Sequence, residues 1–115
     1  MARTALPVTP VPAAGLNLAA GGTAVNFIDG NSFPWAADRC LYVTNGDTTP
    51  LTVTVQTPGT VGSLALAVAD APFTVPASAS RLLPVLGSEF RRPDGSVWVD
   101  WTGADAAVTC TVVEL

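Results

Sequence analysis

Polar and apolar positions alternate along much of this chain. In Leu51-Thr-Val-Thr-Val-Gln56, Leu51, Val53 and Val55 share one face and Thr52, Thr54 and Gln56 the other. Successive strand side chains point to opposite faces, so this is the pattern of a half-buried antiparallel strand. Arg39-Cys-Leu-Tyr-Val-Thr44 is a second β-rich run, and Asn45-Gly-Asp-Thr-Thr-Pro50 between the two is a cluster of turn formers. The two runs are expected to pair as a hairpin with a long loop. A second hairpin is expected where Glu89-Phe-Arg-Arg92 meets Val97-Trp-Val-Asp-Trp101 through Pro93-Asp94-Gly95-Ser96. Pro opening the turn and Gly in the left-handed position suit a type I turn with a bulge. Val97, Val99 and Trp101 then share the core face, while Trp98 and Asp100 share the outer one.

The remaining runs read the same way. Val108–Glu114 alternates as a last strand, Thr23–Ile28 and Phe73–Val75 are shorter candidates, and Arg81–Leu86 carries Pro84, which cannot donate to a ladder and so marks an edge. Val61–Asp70 suits a short helix by its Ala and Leu content and a strand by its alternation, and its length favours a strand or loop. No segment reads convincingly as a helix. About 7–8 short antiparallel strands separated by turn signals imply an all-β fold, a single β-sandwich or jelly-roll-like small barrel over residues 23–115.

Residues 1–22 differ. Pro7, Pro10 and Pro12 fall within six positions, followed by Ala13-Ala-Gly15 and Ala20-Gly21-Gly22, a composition that favours extended or polyproline backbone. Leu6, Val8, Val11, Leu16 and Leu18 are poor choices for a solvated tail, so the segment reads as an extended arm that lies along a neighbour.

Composition narrows the chemistry. The chain has 115 residues, enough for one core. Charged residues are 12%, about half the usual share, and all five cations are arginines against nine acids, a net charge of −4. With no histidine and no lysine, imidazole-based triads and metal sites, Schiff bases and the phosphate-loop ammonium are excluded. The acidic balance argues against a nucleic-acid partner. No apolar run approaches the about 18 residues of a membrane helix, and the prolines interrupt any signal-peptide stretch, so a soluble protein made in a cytoplasm, with no membrane partner, is expected.

Asp29-Gly-Asn31 and Asn45-Gly-Asp47 lack the spaced oxygens of a calcium loop and read as turns bonding their own backbone. No acid pair is marked out for glycoside hydrolysis, and Ser and Thr lack a base to activate them. No catalytic, cofactor or metal residue is therefore expected. Cys40 and Cys110 read as small buried apolar residues, with a close thiol pair as the alternative that spacing leaves open. Arg91 and Arg92 beside Phe90 read as a solvated or ion-paired turn. Trp98, pointing outward, is either an interface anchor or covered by the chain's own loop or arm; Phe33-Pro34-Trp35 has the same ambiguity.

So few charges on so small a protein suit permanent assembly, because obligate interfaces are apolar and charge-poor. The opening Met1-Ala-Arg-Thr-Ala-Leu-Pro7-Val-Thr-Pro10, the Val-Thr-Asn-Gly-Asp run before Leu-Thr-Val-Thr-Val, and Phe-Arg-Arg-Pro-Asp-Gly-Ser before a strand together resemble the capsid decoration (cement) proteins of tailed bacteriophages of actinobacteria. The likeness is one of pattern and composition over most of the chain. It implies a virion protein on the outside of the shell, commonly a homotrimer, that bridges capsomers and binds the major capsid protein. The arm, with Leu6, Pro7, Val8, Pro10 and Val11, would be the docking element, and Arg91 and Trp98 would make subunit contacts. A head–tail connector, tail or fibre-associated subunit, and a carbohydrate-binding module using Trp35 or Trp98, are the competing readings.

Overall fold

The structure is a computed structural model that describes residues 3–16, 22–58, 60, 61, 64, 66, 67, 70–104 and 106–115. It is all-β. Strands β1 (Thr4–Ala5), β2 (Val8–Pro10), β3 (Thr23–Ala24), β4 (Asn31–Pro34), β5 (Arg39–Asn45), β6 (Leu51–Val55), β7 (Thr60–Val61), β8 (Leu66–Ala67), β9 (Ala71–Val75), β10 (Ala79–Leu82), β11 (Ser96–Thr102) and β12 (Val108–Glu114) are joined by loops, and the helical content of the described residues is one 3-10 turn, Ser88–Phe90. Two five-stranded sheets enclose a common core. Sheet A runs β1-β4-β11-β6-β9; sheet B runs β10-β5-β12-β2, with β3 also on β12.

The alternation seen in the sequence decides what faces inward. From sheet A, Phe33, Val53, Val55, Val97, Val99 and Trp101 are buried; from sheet B, Leu41, Val43, Val108, Cys110 and Val112 meet them. Each such Val or Leu stabilises the fold by about 1.5–3 kcal/mol relative to exposure.

Neither expected hairpin forms. β5 and β6 do not pair: β5 lies between β10 and β12 in sheet B, and β6 between β11 and β9 in sheet A. The loop between them is a crossing, held by buried Asn45, whose Nδ2 donates to the carbonyls of Thr49 (2.9 Å), Val75 (3.2 Å) and Pro76 (3.3 Å). Glu89–Arg92 forms no strand. Both edges of β11 are taken, by β4 and by β6, so no ladder is left for it. The turn itself follows its sequence: Gly95 N–H bonds Arg92 C=O, Arg92 N–H bonds Ser96 C=O, and Gly95 has φ +88°.

Other runs shift at their ends. Thr23–Ile28 yields only β3, and Arg81–Leu86 is a strand only as far as Leu82, stopping before Pro84 on the edge strand β10. Of the ambiguous Val61–Asp70 stretch, β8 pairs with β7 as a short hairpin; the rest lies outside the described residues, apart from Leu64 and Asp70.

The sheets are mixed rather than purely antiparallel, because of the N-terminal segment. β1 runs parallel to β4, and β2 parallel to β12. No tight turn joins these partners, so nothing in the connection imposes antiparallel pairing. Residues 4–10 are extended, as their prolines require, yet they lie on the domain itself, on sheet A first and sheet B next. Leu6, between the two strands, is 3% exposed and part of the core.

Candidate interaction surface

On β11 the two-residue period places Trp98 and Asp100 on the outer face of sheet A, opposite Val97, Val99 and Trp101. Two arginines from distant parts of the chain converge on the Trp98 ring. The Arg92 guanidinium carbon lies 3.5 Å from a ring centroid and that of Arg3 lies 4.4 Å away, both within cation–π range. Arg3 Nη1 also donates to Asp100 Oδ1 at 2.8 Å and to the Val99 carbonyl at 3.2 Å. The second carboxylate oxygen of Asp100 accepts from Gln56 Nε2. This carboxylate is held by donors on both oxygens, an arrangement that fixes the side chains in place.

Arg91 and Arg92 owe their position to the loop before β11. Trp35 Nε1 donates to the carbonyls of Leu86 (3.2 Å) and Gly87 (3.1 Å), while Leu86 is buried and Phe90 packs against the core. The loop is thus pinned at both ends of its 3-10 turn, and the residues after Phe90 face outward. Pro58, Ser88, Arg91, Arg92 and Pro93 line a groove of about 260 Å3 there. Asp94, at the tip of the turn, is held below the ordinary carboxylate range, first by the hydroxyl of Ser96, then by the Ser96 backbone N–H and the charge of Arg92.

The outer face of sheet B is different in kind. Strand register places Ser80, Thr44, Thr109 and Ala24 in one cross-strand row, Leu82, Tyr42 and Thr111 in the next, and Cys40, Val113 and Thr9 in the third. None of these side chains is charged; Cys40 and Val113 in the third row are buried, so the open part of the face is formed by the first two rows and Thr9. Exposed apolar residues flank the face: Leu82 (55%) and Val85 (45%) lie at and after the β10 edge, and Val11 (45%) follows β2 at the opposite edge, where its N–H bonds the Glu114 carbonyl, while Leu115 (66%) follows β12 with its N–H bonded to the Asp38 carbonyl.

The residues singled out from sequence therefore divide. Leu6 is inside the core, and half-buried Val8 packs against it, so neither offers a free docking side chain. Pro7, Pro10 and Val11 are exposed beside β2. Arg91 is exposed in the loop before β11, and Trp98 is half-buried beneath Arg3 and Arg92, so the chain's own arm and turn do cover it. Trp35 is no free stacking platform either, since its ring packs on the core and its N–H is bonded. Sequence reasoning missed Arg3 as Trp98's partner and missed the buried amides of Asn31 and Asn45. The one signal available was that asparagine stood where the apolar alternation called for a core residue.

The turn at Asn45 bonds its own backbone as expected, its Oδ1 accepting the Asp47 N–H; at Asp29-Gly-Asn31 the acceptor is instead Asn26 Oδ1, which takes the N–H groups of Ile28 and Asp29, while Asn31 points into the core. Among the described residues no three of His, Cys, Asp and Glu cluster as metal ligands. Cys40 and Cys110 are free and buried on opposite faces of sheet B, Cys40 paired in register with Val113 and Cys110 with Val43. Burial raises both thiol pKa values. Comparison with protein-family models, with curated proteins and with solved structures gave no match.

Proposed function

We propose that the protein is a structural subunit of a phage virion that lies flat on the outer surface of the capsid and stabilises the shell by bridging capsomers. The observation that carries this reading is the charge-free outer face of sheet B, bordered by exposed Leu82 and Val85 on one edge and Val11 on the other. Such a face loses little hydration on contact, and the hydroxyls of Thr9 and Thr109 supply hydrogen bonds to a partner surface. Pro7, Pro10 and Val11 extend the same edge, so the N-terminal segment docks while Leu6 anchors it to its own subunit. The partner is the major capsid protein, with sister copies, as a trimer, adding avidity across the lattice. The carbohydrate-binding reading loses its platforms, since Trp98 is already stacked and Trp35 is packed on the core.

Mixing the protein with undecorated capsids and measuring co-sedimentation tests the proposal. Removing residues 2–12 would also remove Leu6 from the core, so the informative variants are Val11→Asp and Leu82→Asp, which change exposed positions. Their combination is expected to weaken binding at least about tenfold. Undiminished binding of the folded double variant would exclude sheet B as the docking face. Copy number separates shell decoration, with hundreds of copies, from a connector present in few.

A further inference from the structure

On the face of sheet A, we infer a carboxylate-recognition groove beside Trp98 that binds an extended acidic segment of a partner protein. The inference is independent of sheet B docking, which concerns the other layer. It starts from an imbalance. The molecule is net negative, yet three of its five arginines, Arg3, Arg91 and Arg92, are gathered at one corner of one sheet. Arg3 is neutralised by Asp100. Arg91 and Arg92 are in no described ion pair, and both line the groove with Ser88, Pro58 and Pro93.

The neighbouring acids do not fill that role. Asp94 is committed to the N–H and hydroxyl of Ser96. Glu89 folds back toward Gly87, where its carboxylate occupies the space an added Cβ would need. The groove walls are chosen for an acceptor: the prolines have no N–H, so the donors are two guanidiniums and one hydroxyl. Stacking on Trp98 restricts Arg92 while leaving the N–H groups in the guanidinium plane able to form a forked pair with a carboxylate. At about 260 Å3 the groove is smaller than typical cofactor pockets; it accommodates one acidic side chain with its adjoining backbone. The overall negative charge repels a polyanion such as a nucleic acid, whereas a segment carrying a few carboxylates is tolerated.

The test uses the full chain and three probes in low-salt calorimetry: an acetylated peptide of alternating glutamate and proline, its glutamine counterpart, and a single-stranded oligothymidylate. The glutamate peptide is expected to bind and to be weakened by added salt, with the glutamine peptide inactive. Arg91→Ala, an exposed change that leaves the fold intact, is expected to weaken binding about tenfold. Arg91→Glu is expected to transfer preference to an arginine–proline peptide, a reversal that misfolding cannot produce. Equal binding of the glutamate and glutamine peptides overturns the assignment, as does binding indifferent to Arg91→Ala, no binding at millimolar peptide, or tighter binding of the oligonucleotide.

Discussion

The indole Nε1 of Trp101 donates to Oδ1 of Asn31 at 2.8 Å, a buried bond between residues seventy positions apart. The same Oδ1 accepts the N–H of Asn26 at 2.9 Å, and Asn31 Nδ2 donates to the Thr4 carbonyl at 3.0 Å. One amide thus joins the core of sheet A, the loop before β4 and the N-terminal strand. Asn31→Ala leaves the buried Trp101 donor without its partner, and is expected to destabilise the protein by about 2–4 kcal/mol. Chemical denaturation followed by tryptophan fluorescence measures this; a loss under 0.5 kcal/mol would show the bond to be replaceable.

Gly30 and Gly95 separate two kinds of glycine requirement. Both have φ in the left-handed region, +78° and +88°. A Cβ on Gly95 meets nothing within 4 Å, whereas one on Gly30 lies 2.8 Å from the Val99 carbonyl and collides with the Arg3 and Asp100 side chains. Gly95→Ala is therefore expected to cost about 1 kcal/mol from backbone strain alone. Gly30→Ala is expected to cost at least about 2 kcal/mol and to loosen β1, seen as faster proteolysis near the N-terminus. Equal melting temperatures for the two variants would contradict this ranking.

Trp98 ties the N-terminal segment to the hairpin turn through Arg3 and Arg92. Arg3 and Asp100 are partly solvated, so Arg3→Ala is expected to cost only about 0.5–1 kcal/mol. Its clearer consequence is access: acrylamide should quench the variant's tryptophan fluorescence more than the parent's. Unchanged quenching would mean that Arg92 alone shields the ring.

Cys110 makes stability fall in alkali. Burial raises its folded pKa above the usual thiol value of 9.0. The neutral thiol is favoured by the fold, so its contribution is intact below pH 9 and is lost as pH climbs toward the folded pKa. Above pH 9 the unfolding free energy is expected to decline by up to about 1.4 kcal/mol per pH unit from this proton. Cys110→Ala should flatten that dependence, and an identical slope in the variant would rule it out. Because Cys40 faces the other side of the sheet, mild oxidation is expected to leave the native protein with two free thiols, titratable after unfolding.

Much of the fold was legible locally. The two-residue period in Leu51–Gln56, Val97–Trp101 and Val108–Glu114 identified strands and their inner faces, since that period is a property of the backbone. Pro93-Asp94-Gly95 identified its turn because the left-handed step at Gly95 belongs to the tetrapeptide. The outer face of sheet A was legible only in part: Arg91 stood out beside Phe90, but Arg3 gave no sign of reaching Trp98, 95 residues later in the numbering.

Which strand pairs with which was decided by the tertiary structure. Alternation says that a strand is half-buried but not who its neighbour is, so β5 and β6, adjacent in the chain, belong to different sheets. The same holds for residues 4–10: prolines dictate extended backbone, while the vacant edges of β4 and β12 and a core site for Leu6 determine where it lies. Local sterics and side-chain period act within a few residues, and the hydrophobic core acts on the whole chain at once; only the second brings Asn31 to Trp101 and Arg3 to Trp98.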